Sequence, residues 1–385
     1  MAAPKPLVLV VLLGVVSLFA DMTYEGARSI TGPYLAMLGA SAAAVGVVAG
    51  FGEFLGYALR LVSGYWADRT RRYWAITIFG YAVNLLAVPA LALAGHWTYA
   101  AILIILERAG KAIRTPARDA MLSHATLQMG RGWGFGLHEA LDQVGATLGP
   151  LIVGAVLYFQ GGYRTAFVFL ALPALLALGT LIVARRLYPR PQSLEALAPA
   201  LRPKGFGGAY WLYLAAASCV ALGYADYPLI AFHFERAGSV PSEWIPAFYA
   251  VAMAVDGLAA LAFGYWYDRL GVIVLVAACA VSALFAPLAF LGGFHAALAA
   301  AILWGLGMGA QESVMRAAVA AMSAPERRGT AYGLFNTGFG LFWFLGSALM
   351  GLLYDFSLPL LVAFSVVAQL CALPLFVASH RSAGK

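Results

Sequence analysis

Gly64-Tyr65-Trp66-Ala67-Asp68-Arg69 returns 200 positions later as Gly264-Tyr265-Trp266-Tyr267-Asp268-Arg269, with five of the six residues unchanged. A second match follows at almost the same offset. Arg131, Gly136 and Leu137 correspond to Arg328, Gly333 and Leu334. Two matches at nearly one spacing mark an internal duplication, so each half carries the same elements in the same order. Between the halves lies one long polar stretch, residues 187–206, with Pro189, Pro191, Pro199 and Pro203. Proline-rich polar segments of this kind serve as linkers. The chain is expected to divide into an N-terminal bundle (residues 1–186), that linker, and a C-terminal bundle (residues 207–385).

Composition says what the halves are made of. Of 385 residues, 63% are hydrophobic and 11% charged, against about 45–50% and 25% in ordinary globular domains. With 24 Lys+Arg and 17 Asp+Glu, most of this surface cannot face water. That excludes a soluble two-domain enzyme, and it excludes disorder, which needs low hydrophobicity and high net charge. The net charge of +7 is spread thinly, so no basic patch suggests a nucleic acid. What remains is a polytopic membrane protein, all-α, with about twelve transmembrane helices at ~20 apolar residues each. Apolar runs place them at 7–37, 43–67, 73–93, 98–118, 131–158, 164–186, 207–235, 243–267, 272–291, 296–320, 329–354 and 359–379. The run from Leu7 continues through Asp21 and Glu25 to Leu38, so it predicts a first membrane helix and not a secretory signal. Cys219, Cys279 and Cys371 lie within apolar runs without motif spacing and read as packing residues.

Lys and Arg in short loops set the orientation. One side carries Arg69, Arg71, Arg72, Arg114, Arg118, Arg131, Arg185, Arg186, Arg269, Arg327 and Arg328, whereas the other has little beyond Arg164 and Arg236. The first side, with both termini, is expected in the cytoplasm. The location is then the cytoplasmic (inner) membrane, crossed many times.

Charges inside hydrocarbon cost at least ~2.5–3.5 kcal/mol each on insertion scales, so every one needs a reason. At ~1.5 Å per residue, Asp21 lies ~21 Å above the start of the first helix and Glu53 ~22 Å above Asp68. Arg108 and Asp142 lie ~15 Å from the cytoplasmic ends of their helices. Glu25 and Arg28 extend the face of Asp21 at i+4 and i+7, and His138 sits one turn below Asp142. The second half has Asp226, Asp256, Glu312 and Arg316 at comparable places. Glu312 with Arg316, and Glu107 with Lys111, are spaced as i, i+4 structural pairs. A carboxylate that alternates between a proton and an arginine is a means of exchanging protons for substrate. No nucleophile–base set, metal cluster or nucleotide-binding loop is present, which argues against an enzyme and against ATP-driven transport.

The duplicated hexapeptide carries a resemblance. The chain resembles the major facilitator superfamily over essentially its whole length. That family's pattern Gly-x-Leu-x-Asp-Arg-x-Gly-Arg-Arg is matched at Gly64, Asp68, Arg69 and Arg72, and again at Gly264, Asp268 and Arg269. Trp66 replaces the leucine, and Arg71 the second glycine. The resemblance implies two pseudo-symmetric six-helix bundles, with these residues as a conformational latch in the loops. Gly145-Ala146-Thr147-Leu148-Gly149-Pro150 resembles the family's antiporter motif, apart from Val153, and adds Gly145, Gly149 and Pro150 to the gating set. Glu107-Arg108-Ala109-Gly110 resembles the arginine of the fourth helix tied to proton coupling, and Arg114-Thr115-Pro116-Ala117-Arg118-Asp119 resembles a helix 4–5 connection.

The combined expectation is a monomeric transporter that exports a small organic molecule in exchange for protons, with no cofactor and no resident metal. Proton coupling falls to Asp142 and Arg108 as a pair, with Asp21, Glu25, Glu53, His138 and Glu139. Substrate contacts fall to Asp21, Tyr24, Glu25, Arg28, Glu53, Tyr57, Asp226, Asp256, Trp304, Glu312 and Asn336. The alternatives are a proton symporter that takes up a metabolite and, less favoured, a metal-ion exporter using Asp21, Cys219, Asp226 and His233.

Overall fold

Long apolar runs punctuated by glycine and proline give a chain built of helices. The computed structural model describes residues 6–126, 131–189, 207–322 and 328–383. The first half holds α1 (Pro6–Met37), α2 (Ala42–Thr70), α3 (Tyr73–Ala90), α4 (Trp97–Thr126), α5 (Arg131–Tyr158), α6 (Tyr163–Phe169) and α7 (Ala171–Leu187). The second holds α8 (Gly208–Gly223), α9 (Tyr227–Ala237), α10 (Trp244–Leu270), α11 (Ile273–Ser282), α12 (Phe285–Leu291), α13 (Phe294–Ala310), α14 (Arg316–Ala321), α15 (Arg328–Phe356) and α16 (Leu358–Ala383). Taken with their short interruptions, these follow the order of the twelve expected spans. Eleven stretches of the described residues are long and apolar enough to cross a membrane. The remaining one is α4, whose 30 residues include Glu107, Arg108, Lys111, Arg114, Arg118 and Asp119.

By packing, the chain falls into two compact units, Met1–Ile30 with Leu55–Ala198, and Thr31–Phe54 with Pro199–Lys385. Residues 190–206 of the expected linker lie outside the described residues. Glu53 therefore belongs to the second unit, whereas Asp21 and Glu25 belong to the first.

Glycine is what lets these helices touch backbone to backbone. In the first unit, a Cβ at Gly145 would stand 2.2 Å from the Leu18 carbonyl oxygen, and one at Gly149 2.2 Å from that of Met22. In the second, a Cβ at Gly346 would stand 2.1 Å from the Leu222 carbonyl. The contact is the same in both copies of the duplicated half. Gly80 and Gly110 likewise seat α3 on α4.

Two segments depart from the expected helices. Tyr224-Ala225-Asp226 is non-helical, so the expected helix over 207–235 is broken into α8 and α9. Pro228 near the start of α9 has no N–H and favours a fresh helix start there. The carbonyls freed by the break are answered from other helices. Ser365 Oγ donates to Gly223 O at 2.6 Å, Gln369 Nε2 to the same oxygen at 3.2 Å, and Trp304 Nε1 to Ala225 O at 2.9 Å. The other departure is a π-turn, Gln311–Met315, between α13 and α14. It widens the turn on which an i, i+4 pairing of Glu312 with Arg316 relied. Glu312 is exposed, and the Arg316 side chain lies outside the described residues.

The glycine contacts make a direct prediction. Gly149→Val should force α1 and α5 apart at a cost of about 1–3 kcal/mol, read as a lower unfolding temperature of the detergent-solubilised protein. Gly179→Ala, where nothing lies within 4 Å, should leave that temperature unchanged or slightly higher. Equal behaviour of the two variants would refute the packing role.

Candidate functional site

The charges of the first unit gather around α4. Arg108, Lys111, Arg114 and Arg118 follow one another at intervals of three, three and four residues, which keeps them along one side of the helix. Sequence reading ended the fourth helix at residue 118 and counted Arg114 and Arg118 among the loop charges. Instead α4 runs on to Thr126 with Pro116 inside it, and Arg114 is 1% exposed. Pro116 has no N–H to offer the Ala112 carbonyl four residues back, and Ser63 Oγ of α2 donates to that oxygen at 3.0 Å. The proline is therefore accommodated without ending the helix.

Each cation meets a different environment. Arg108 Nε lies 3.2 Å from Glu107 Oε2, and Asn84 Nδ2 of α3 donates to Glu107 Oε1 at 2.8 Å. Lys111 Nζ lies 3.7 Å from Glu25 Oε1 and 3.9 Å from the Tyr24 ring centre. Arg118 binds Asp119 Oδ1 through Nε at 2.9 Å and Nη2 at 2.8 Å, and its Nη1 donates to Ser17 Oγ at 3.0 Å. Arg114 lies over the Tyr81 ring at 4.1 Å and 5.7 Å from that of Tyr24. Among the described residues its Nε and Nη1 have no hydrogen-bond partner.

The acids come from α1 and α5. His138 Nδ1 lies 3.5 Å from Asp142 Oδ2, and His138 Nε2 3.0 Å from Ser17 Oγ. Ser17 also lies 3.4 Å from the Tyr81 hydroxyl. One serine of α1 thus joins α3, α4 and α5. The charges of Lys111 and Arg114 act on Asp21. Those of Arg118 and Arg114, together with Asp21 and Glu139, act on Asp142. Gly145 and Gly149 dock on the carbonyls of Leu18 and Met22, on either side of Asp21 in the sequence of α1.

This arrangement revises the sequence expectations residue by residue. Asp142 and His138 come together as their spacing implied. The described ion pair of Arg108 is with Glu107, and the arginines acting on Asp142 are Arg118 and Arg114. Lys111 pairs across helices with Glu25, where an i, i+4 pair with Glu107 was expected. Glu139 is exposed, while Arg28 and Tyr57 are half-buried. Ser17, Tyr81, Asn84 and Arg114 were missed. The three-three-four charge spacing on the fourth helix was the available signal.

The second unit is aromatic where the first is charged. Asp226, at the break before α9, accepts a hydrogen bond from Trp343 Nε1 at 3.0 Å. Tyr224 donates its hydroxyl to the Trp304 carbonyl. The rings of Tyr227 and Tyr249 lie 4.3 Å apart, and Trp304 meets both. His233 Nδ1 lies 3.0 Å from the Tyr354 hydroxyl. Asp256 and Trp304 are buried, and Asn336 is half-buried.

The duplicated hexapeptides form the last turns of α2 and α10, so Asp68, Arg69, Asp268 and Arg269, expected in loops, are helical. Asp68, Arg69, Arg72, Asp268 and Arg269 are all exposed. Arg69 Nη1 donates to Tyr65 Oη at 2.9 Å, and Arg269 lies 3.9 Å from the Tyr265 ring centre. Each copy thus folds its arginine back onto the tyrosine four residues earlier. At a helix C-terminus the dipole disfavours a carboxylate, so a latch partner for Asp68 must come from another helix. A Cβ at Gly64 would make ordinary contact with Pro116, and one at Gly264 would meet open space.

Comparison with known proteins agrees with this architecture. The Major Facilitator Superfamily profile matches residues 13–309 and 212–384. An uncharacterised protein of Mycobacterium tuberculosis is 44% identical over 96% of this chain and 92% of its own length. An uncharacterised MFS-type transporter of Methanocaldococcus jannaschii is 25% identical over 90% of this chain and 89% of its own. Among solved structures, the nucleoside transporter NupG superposes with a TM-score of 0.76 at 13% identity, covering 96% of this chain and 100% of that one. A bacterial homolog of the human lysosomal transporter Spinster gives 0.74 at 16% identity, covering 98% of each. A peptide transporter, POT, also gives 0.74 at 16%, over 98% of this chain and 94% of its own. Matched by one family through both of its halves, this chain belongs to the Major Facilitator Superfamily of secondary transporters.

Proposed function

We propose that the protein is a proton-coupled transporter that exports a small organic molecule by alternating access. In this reading it works as a monomer in the cytoplasmic membrane, with both termini in the cytoplasm. The observation that carries the coupling is the pair Asp21 and Asp142. They stand on different helices within each other's electrostatic reach, share Arg114, and are otherwise served by Lys111 and Arg118 of the same helix α4. A carboxylate so placed alternates between a proton and an arginine. Its protonation then changes how strongly α4 holds α1 and α5, which links a proton to a helix arrangement. Glu25, His138 and Glu139 surround the pair, and Arg108 with Glu107 anchors α4 to α3.

Export is supported by the docking of Gly145 and Gly149 on α1. The resembled antiporter motif thereby flanks the acid it would couple to. Substrate contacts are assigned to Asp21, Tyr24, Glu25, Arg28 and Tyr57, and to Glu53, Asp226, Asp256, Trp304, Glu312 and Asn336. A break such as Tyr224–Asp226 is a usual place for substrate groups in transporters. Uptake with protons is the second reading, and the open donors of Arg114 favour it.

Pyranine-loaded proteoliposomes separate the two. With a ligand found by thermal-shift screening loaded inside, its efflux should acidify the lumen under exchange and alkalinise it under symport. Asp142→Asn should keep ligand exchange between equal compartments while losing accumulation driven by a pH gradient. Full gradient-driven accumulation in that variant would move the coupling role to Asp21 or Glu25.

The latch has its own outcome. Asp68→Asn should express and fold as the parent does and transport at a markedly reduced rate, because one conformation loses its holding carboxylate. Unchanged turnover would remove Asp68 from the gating set.

A further inference from the structure

We infer that Arg114 seats an anionic group, a carboxylate or phosphoryl, of the transported molecule. The inference rests on the second form of the transporter reading above, in which substrate and proton move together, and names its substrate class. Of the four cations of α4, Arg108, Lys111 and Arg118 each have a carboxylate within 4.0 Å. Arg114 is the most deeply buried of them, at 1% exposure. Its guanidinium face is covered by Tyr81 and Tyr24, yet Nε and Nη1 have no hydrogen-bond partner among the described residues. Ring stacking occupies the face of a guanidinium and leaves the N–H edge unanswered.

The choice of an anion follows from what each group can do about its charge. Asp21 also has an oxygen without a partner, Oδ1. A carboxylate can lose its charge by taking a proton. An arginine cannot lose its charge in a protein, so a buried guanidinium with Nε and Nη1 unanswered calls for an anion. Asp21 is the internal anion that acts on Arg114, and a ligand anion at Arg114 would replace it. The groups facing this exchange are Tyr24 and Glu25 of α1, Tyr81 of α3, Lys111 and Arg118 of α4, and Asp142 of α5. Once displaced, Asp21 is free to take the proton, so anion and proton are bound together.

Lys111 is the most accessible of the four cations. It lies three residues before Arg114 on the same side of α4, and its side chain is 23% exposed. Its pairing with Glu25, at 3.7 Å, is looser than those of Arg108 and Arg118, so its carboxylate is the one an incoming anion most readily replaces. The two cations offer charge-assisted hydrogen bonds that a neutral isostere cannot match.

The test is a thermal-shift titration of the purified full-length protein. The probes are small mono- and dicarboxylates and phosphate monoesters, each beside its neutral amide or alcohol and an amine of the same skeleton. At least one anion should raise the unfolding temperature while its amide and amine do not. Arg114→Gln should weaken that anion's half-saturation about tenfold or more, with Lys111→Gln showing a smaller loss. Protonation linkage should appear as tighter anion binding at pH 6 than at pH 8, and Asp21→Asn should flatten it. If Arg114→Gln does not fold, the anion-over-amide preference of the parent protein and the Lys111→Gln titration still decide. Stabilisation by amines or amides alone, by no probe at all, or by anions equally in Arg114→Gln would overturn the assignment. A cationic ligand whose transport still collapses a pH gradient would refute the substrate class and leave the proton-coupled reading standing.

Discussion

Everything in the first unit answers to one constraint, that a charge surrounded by hydrocarbon must find its partner inside the protein. The helix α4 is where that constraint bites hardest. It carries four cations and two acids over thirteen residues and fails as a membrane span on hydropathy. It is held by what surrounds it. Gly80 and Gly110 bring α3 against it, Tyr81 and Tyr24 cover Arg114, and Glu25 reaches Lys111 from α1. Because the partners sit on other helices, the charges also tie those helices together. A proton or a ligand that alters one charge therefore alters the packing of several elements at once.

The same logic governs the backbone. In a membrane, every carbonyl released from a helix needs an internal donor. Pro116 releases one, and Ser63 answers it. The break at Tyr224–Asp226 releases more, answered by Ser365, Gln369 and Trp304. In both places a side chain of another helix supplies the donor that the backbone lost.

The two units share an origin and have divided the chemistry. Gly149 on Met22 and Gly346 on Leu222 are the same helix contact in duplicate, and both hexapeptides fold an arginine onto a tyrosine. Beyond those shared contacts they diverge. The first unit gathers charged groups around α4, the second a broken helix set among aromatic rings with Asp226 at its turn. Family membership explains the shared scaffold. The chemistry of this chain is specified by side chains that the duplication did not preserve.

Composition, hydrophobic run length and the repeated hexapeptide were enough, from sequence alone, to establish an all-helical membrane protein built of two similar halves, because burial in lipid leaves few alternatives. The intramembrane positions of Asp21, Glu25, Asp142 and His138 were equally legible, since ionisable residues stand out in apolar runs. Pairing was not. Lys111 chose Glu25 over Glu107 because a carboxylate on a neighbouring helix lay within reach, and helical spacing reports only the helix's own neighbours. Arg114 and Arg118 counted as loop charges because they stand at the end of the expected helix 98–118, and only the structure carries α4 on to Thr126. The break at Tyr224–Asp226 likewise depends on donors more than a hundred residues away. A sequence states which groups must be satisfied, and the tertiary structure alone decides which partners satisfy them, because those partners come from distant parts of the chain.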